Sequence, residues 1–410
     1  MAISRRHLLR GCCAAMGAGL FTGLVPGTAR AAIVNPCLGA LPPELARHDL
    51  VLSALQGFDA TKLIDTHAHL LGTGDSGSGC TVHPSLHQWW HPLEVLRRKG
   101  ILNAACVDED APSIDRAYVE RLVALAAEFP AGARWWLFAF DRAHDDAGRP
   151  DPDHSTFHVP DAYAARIARE HPARFDWVAS IHPYRPDATA ALEAALAAGA
   201  KAVKWLPASM NIDLRDPRAR GFAERLARAG RPLIVHCGEE KAVPGAGRDE
   251  FGNPLHVRPL LATGATVVMA HCGSLGQAAD EDRRSAPAVP AFDLFARVMD
   301  ESLKAGTRLL GDTSAVFQRN RADTVWRTLI ERSAWHPRLL HGSDHPLPGV
   351  MPLFSLPRLV GAGLLAQADA PILKRVREHN PLLFDLLLKR RLKIGTARIA
   401  DSVFEAHALA

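Results

Sequence analysis

The 410-residue chain contains no low-complexity tract and no heptad repeat, which excludes fibrous and coiled-coil designs. No G-x-G-x-x-G follows its first predicted strand, which removes the commonest nucleotide-binding form of an open α/β sheet. Its seven cysteines are too scattered to form a disulfide framework. Five remain once Cys12 and Cys13 are set aside with the N-terminal segment, and Cys237 and Cys272 read as small hydrophobes on strands. A dominant charge is missing too. The formal net charge of +4 resides in residues 1–31, which carry Arg5, Arg6, Arg10 and Arg30 and no acid. Without them Lys+Arg falls from 48 to 44, matching the 44 Asp+Glu, so bulk charge gives no argument for nucleic acid or an anionic surface. What is present is ordinary for a soluble globular protein, with 48% hydrophobic and 22% charged residues. The length fits one large α/β domain or two average ones.

Residues 1–31 read as an export signal. Arg5-Arg6 supplies a charged start, a Gly/Ala/Leu-rich run follows, and Ala29-Arg30-Ala31 offers a small-x-small cleavage site. The adjacent arginines resemble a twin-arginine signal, which implies a periplasmic mature protein. The apolar run is shorter than the roughly 20 residues a bilayer span needs, so no stable membrane segment is expected. Residues 32–58 then form a lead segment, 59–390 the main domain and 391–410 a tail.

From Gly100 onward, glycines punctuate the chain. Gly100, Gly199, Gly230, Gly264 and Gly306 each precede a short apolar run. Before them lie plausible helices: "PDATAALEAALAA" places Ala188, Leu192, Ala195 and Leu196 at helical spacing, and Asp216-Pro217 reads as an N-cap with Pro in the first turn. Helix, glycine, strand, repeated, predicts an α/β fold with parallel strands. Candidate strands fall near 60–66, 101–107, 134–141, 176–182, 200–206, 231–237, 266–272, 308–312 and 338–342. That is one more than an eight-stranded barrel requires, so either 101–107 or 134–141 lies outside it. A doubly wound open sheet is the competing architecture.

The strands end on polar groups. "LIDTHAH" closes on Asp65, His67 and His69, "AKAVKW" near Lys204, "LIVHC" on His236, "VVMAHC" on His271, and "LLHGSDHP" carries Asp344. Side chains alternate along a strand, so His67 and His69 share a face, as do Ala200, Ala202 and Lys204, Ile234 and His236, and Val267, Met269 and His271. In a closed parallel barrel that face points into the lumen, and the strand C-termini form the active-site rim. One H-x-H is weak evidence, since 20 histidines give about one by chance. The ordered set, each member closing an apolar strand, predicts a metal site.

That order resembles the amidohydrolase superfamily, and "HGSDHP" with the later "HNPLLFD" is similar to its amidohydrolase-2 branch over roughly residues 60–388. The resemblance implies a distorted (β/α)8 TIM barrel with long rim loops and divalent metal, most simply Zn2+, at the C-terminal rim. By position His67 and His69 would be first-strand ligands, with Lys204, His236, His271 and Asp344 on the fourth, fifth, sixth and eighth strands. If Lys204 is carboxylated it bridges two ions, with His67, His69 and Asp344 on one and His236 and His271 on the other. If it is not, His67, His69, His236 and Asp344 hold one ion and His271 acts on water or substrate. Asp344 is the expected proton shuttle. Asp65 is expected to orient a ligand histidine, against a plain capping role. His182, Asp312 and Trp205 complete the candidate supporting or substrate-binding positions, with Ser314 on the seventh-strand rim and Glu239 and Glu240 near the mouth.

Two long segments, "GTGDSGSGCTVHPSLHQWWHP" and "RAHDDAGRPDPDHSTFHVP", read as rim lids, with Trp89 and Trp90 as a possible apolar wall. His144, His154 and His158 read as solvent-exposed loop residues. The leading function is hydrolysis of an amide, ester or lactone in a small molecule. A decarboxylase of the same branch and a non-catalytic exported binding protein are the alternatives. Substrate, metal identity and homo-oligomeric state stay open at this level.

Overall fold

The computed structural model describes residues 34–409, and the expected export segment 1–31 lies outside the described residues. Eight short parallel strands follow the Val/Ile/Leu runs: β1 (Ile64–His69), β2 (Arg134–Phe138), β3 (Phe175–Val178), β4 (Val203–Trp205), β5 (Leu233–His236), β6 (Val267–Ala270), β7 (Leu309–Asp312) and β8 (Leu339–Leu340). They form one run β1-β2-β3 and another β4-β5-β6-β7-β8. Two seams join these runs. Ala179 bridges Val203, and Lys204 N–H donates to Ala179 O at 2.8 Å. At the other seam Ala68 bridges His345, and Thr66 N–H donates to His341 O at 2.9 Å. The sheet therefore closes into a (β/α)8 barrel, and no open edge is left as a doubly wound sheet would have.

Of the two competing segments, 134–141 contributes a barrel strand. Residues 101–107 instead largely complete the helix α1 (Pro92–Ala105), which passes through Gly100 and ends at Cys106 in the left-handed conformation (φ 55°). Pro92 at the first helical turn set that helix in motion, and Gly100 lies in its interior rather than at its end. The punctuation holds elsewhere. Helix α2 (Ile114–Ala127) precedes β2, α3 (Asp161–Glu170) precedes β3 and α4 (Ala188–Ala197) precedes β4. Helix α5 (Pro217–Arg228) starts where Asp216 caps Arg218 N–H at 2.7 Å. It buries Ala219, Phe222, Ala223 and Leu226 and ends before Gly230 at φ 63°. Burying Phe222 and Leu226 stabilises the layer by about 1.5–3 kcal/mol each, and Phe222→Asp would break it.

Helices α6 (Ala291–Ala305), α7 (Asp323–Glu331), α8 (Asp369–His379) and α9 (Pro381–Arg391) complete the outer layer. The main core lies between strands and helices. A smaller core fills the barrel, with Phe138, Val178, Ile234, Val268, Leu310 and Leu340 facing one another. Residues past α9 pack onto the barrel: Val403 O accepts from His341 N–H at 3.0 Å, and Ala406 and Ala408 join the inner core. The lead segment is tied to α1 by a Cys37–Cys106 disulfide and by Asn35 N–H to Asn103 Oδ1 at 2.9 Å. The scattered cysteines had given no sign of that pairing, because it joins residues 69 apart that only the fold brings together.

Candidate metal centre

Ile64 packs on the inner core, so strict alternation along β1 would turn Thr66 and Ala68 inward. A bulge between Asp65 and Ala68 resets the phase, and His67 and His69 reach the lumen instead. On β6 the expected parity fails. Val268 and Ala270 face inward while Val267 and Met269 pack outward. His271 still reaches the centre, because it follows the strand and takes φ 55°. Asp344 turns in the same way at φ 61°. The β8 loop lies so close to β1 that a Cβ on Gly342 would meet His67 Cβ at 2.6 Å, which requires glycine there.

His67 Nε2 and His69 Nε2 stand 3.3 Å and 3.2 Å from Asp344 Oδ1. These three residues form one group whose ligand atoms lie within 4.8 Å of one another, and His67, His271 and Asp312 form another. His67 Nδ1–H donates to Asp312 Oδ2 at 2.9 Å. That fixes its tautomer and leaves Nε2 a bare lone pair facing a carboxylate oxygen. Two acceptors at that distance repel unless a cation lies between them, so the donor set fits a metal ion.

Asp312 is tied at every oxygen. Its Oδ1 accepts from His271 N–H and Ser314 N–H, both at 3.0 Å, and from the Ser314 hydroxyl. His271 Nδ1 lies 3.1 Å from Ser314 O, which can only accept, so its free Nε2 is the acceptor. Asp65 accepts the backbone N–H groups of His67 at 3.1 Å and Ser343 at 2.9 Å. It pins β1 to the β8 loop through the backbone, and the His67 ring is oriented by Asp312 rather than by Asp65.

The electrostatics suit a metal. Burial, with Lys204 nearby, draws the His67 imidazole down to about 4, and burial holds His271 and His236 below the usual range. Burial alone would raise Asp344, but the facing His271, His67 and His69 hold it well below the usual carboxylate range. At neutral pH His67, His236 and His271 are thus neutral and Asp344 is ionised, the states in which each donates a lone pair.

The β4–β5 side differs. Lys204 is buried (1% exposed), and its Nζ has no hydrogen-bond partner among the described residues, with the Phe138 ring centroid 5.2 Å away. Burial lowers its pKa. His236 Nε2 lies 3.3 Å from Glu240 Oε2 without the geometry of a hydrogen bond.

His67, His69, Lys204, His236, His271 and Asp344 all line one cavity of about 360 Å³. Its upper wall comes from both long rim segments, whose Thr81–Val82 and Phe157–His158 stretches pair antiparallel, and Val82, Leu86 and Phe157 contribute surface. Trp89 and Trp90 do not. They are 82% and 56% exposed, because the turn carrying them points to solvent, and Leu86 supplies the apolar wall. Trp205 and His182 also lie outside the lining. Trp205 packs on Phe222 at 5.3 Å and donates to Ile181 O at 2.7 Å, on the helix-facing side of β4. His182 Nε2 donates to Met210 O at 2.8 Å and its ring stacks on His144, making it a core histidine. His144 is itself buried, while His154 is exposed and paired with Asp151. A separate cavity of about 470 Å³, bounded by Asp141, Arg142, His158, Asp161 and Arg185, holds none of the metal-site residues.

Among the lining residues that no sequence motif singles out are Gln318 and Arg321 on the loop after β7. Their only signal was a polar cluster, "QRNR", directly after an apolar strand and turn.

A family model described as amidohydrolase matches residues 64–382. No curated protein matches the chain. Among solved structures, an uncharacterized TIM-barrel protein from Bordetella bronchiseptica is similar at 17% identity, covering 73% of this chain and 99% of its own, with a TM-score of 0.43. The 5-carboxyvanillate decarboxylase from Sphingomonas paucimobilis is similar at 13% identity, covering 84% and 96%, with a TM-score of 0.47. The 2,6-dihydroxybenzoate decarboxylase from Rhizobium is similar at 16% identity, covering 79% and 98%, with a TM-score of 0.39.

Proposed function

The chain belongs to the amidohydrolase family, and from that premise we propose that it is a metal-dependent hydrolase. It uses water to cleave an amide, ester or lactone bond in a small molecule. The observation that carries this reading is the lone-pair cluster of His67 Nε2, His69 Nε2 and Asp344 at the cavity. A divalent ion such as Zn2+ held there would polarise the scissile carbonyl and acidify water.

The protein's own groups do the rest. Asp344 is ionised and buried, so it accepts a proton from the attacking water and returns it to the leaving group. His271 presents its Nε2 to the same space, because Nδ1 is committed to Ser314. Asp312 holds the His67 ring, and with it the first ligand, against rotation.

The reading extends to two ions. Lys204 Nζ and His236 Nε2 are both buried and both without a hydrogen-bond partner. A carboxylated Lys204 and His236 would hold the second ion, and that would relieve both unsatisfied groups. The Cys37–Cys106 disulfide supports export, since such bonds persist in oxidising compartments, and we place the mature protein in the periplasm. Among the described residues no helix is long and apolar enough to cross a membrane.

The test is metal removal and product analysis. Dialysis against a chelator should abolish hydrolysis of a lactone and ester panel, and Zn2+ should restore it, with 18O from water entering the product acid. CO2 release without 18O uptake would move the protein to the decarboxylases. Tight ligand binding with no turnover in the metal-loaded protein would make it a binding protein.

A further inference from the structure

Arg321 is buried at 6% exposure and lines the same cavity. Its Nε–H donates to Ser274 Oγ at 3.1 Å, and Nη1 donates to Gln318 Oε1 at 3.2 Å and Asn320 Oδ1 at 2.7 Å. All three partners are neutral. Nη2 donates to no group among the described residues. The nearby carboxylates act on it only at longer range, and each is engaged elsewhere: Asp344 with the two histidines, Glu240 beside His236, Glu239 with Lys241 at 3.3 Å.

Gln318 is the second unused donor. It is 2% exposed and also lines the cavity. Arg321 Nη1 needs an acceptor, which fixes Oε1 toward the guanidinium and makes the other end the NH2 group. That Nε2 is buried with no acceptor among the described residues. One loop therefore holds a buried cation lacking a counter-ion and a buried amide lacking a partner, three residues apart. Each is costly unless a ligand supplies an anionic oxygen. The lining adds apolar Leu71, Ile101, Phe157, Leu206 and Leu353, and its other surface cations are ion-paired, Arg97 with Glu94, Arg98 with Glu109 and Lys241 with Glu239.

We propose that Arg321 and Gln318 bind a carboxylate of the substrate, away from the bond cleaved, so that the protein acts on small carboxylic acids with an apolar body. This rests on the hydrolase reading only for the word substrate; the anchor itself is a statement about binding. A guanidinium N–H and an amide N–H suit the two oxygens of one carboxylate, and charge-assisted bonds of this kind carry the recognition.

The test uses the full chain freed of metal, so that no carboxylate binds through an ion. Phenylacetate and its neutral isostere phenylacetamide are compared by NMR titration. The wild-type protein should prefer the acid by about tenfold to a hundredfold. Arg321→Met should erase that preference, Arg321→Lys should keep part of it, and Gln318→Leu should reduce it without touching the charge. Arg321 also braces Ser274 and Asn320, so each variant is first checked by thermal melting, and Gln318→Leu carries the test if Arg321→Met does not fold. A wild-type protein with no preference for the acid, non-binding of both probes included, overturns the proposal. So does a folded Arg321→Met that keeps the preference. Acid preference in the metal-free protein, with no hydrolysis once metal is loaded, would leave the anchor standing and remove the hydrolase reading.

Discussion

The two sides of the centre are built differently. On the β1–β7 side every polar atom of Asp312 is used, the His67 ring is held through Nδ1, and Ser314 links both imidazoles. On the β4–β5 side Lys204 Nζ and His236 Nε2 lie buried with nothing to bond. The first side is preorganised by the protein alone and points its lone pairs at one place. The second side leaves both groups unsatisfied among the described residues. A centre of this kind spends folding free energy on unsatisfied groups so that a ligand can be held by them, which is how strain and orphaned polarity mark functional sites.

The largest way to break the comparison is to remove the proposed ligands of the preorganised side. His67→Ala or Asp344→Asn should lower turnover by about 100- to 10,000-fold, read as kcat in the metal-loaded protein. Asp312→Asn tests the preorganised side alone. It keeps the shape but no longer presents a carboxylate to His67 Nδ1–H, so metal affinity should fall by about 10- to 100-fold, read by competitive titration with a chelating dye. Unchanged affinity in Asp312→Asn would mean that the tied side is only structural.

Much of this centre was legible in the chain, and the part that was not has a physical reason. Polar groups closing apolar strands are a local signal, so His67, His69, Lys204, His236, His271 and Asp344 could be read from alternation and order. Alternation points to His271 on β6, but a left-handed residue after the strand, not parity, carries it inward. The β1 bulge is likewise invisible in "LIDTHAH". Asp312 is legible as a supporting or substrate-binding position, but its partner His67 is not, because a bond between residues 245 apart leaves no trace in spacing. Gln318 and Arg321 lie on a loop, where periodicity says nothing. Segment 101–107 misled because an apolar run after a glycine looks alike in a strand and in the second half of a helix.

Lys204→Met sharpens the comparison from the other side. It replaces a buried, unpartnered amine by an apolar chain of similar length. Stability without metal should therefore hold or rise, by on the order of 1–3 kcal/mol in urea unfolding. In the same variant the metal content measured by mass spectrometry should fall from two ions per chain to one if Lys204 serves a second ion. A strongly destabilised Lys204→Met would show that the amine is held by contacts the cavity conceals, and the contrast between the two sides would fail.

The smallest effect on the centre comes from a control outside it. Asp161 borders the separate cavity, where one oxygen accepts Ser180 N–H at 2.8 Å and burial, aided by Asp141, raises its carboxyl to about 7. Its folded value lies above its unfolded value of about 3.9, so the folded state binds the extra proton between those pH values. The stabilisation is fully present below pH about 4 and is lost as pH rises through about 7. Asp161→Asn keeps the acceptor oxygen and cannot ionise. The wild-type protein should therefore lose stability relative to this variant between pH 4 and 7, by up to about 4 kcal/mol, while metal content and turnover stay the same. A parallel pH course in the two proteins would mean that the Asp161 environment is open to water, and that an unsatisfied buried group can be told from a solvated one only where, as at Lys204, a ligand depends on it.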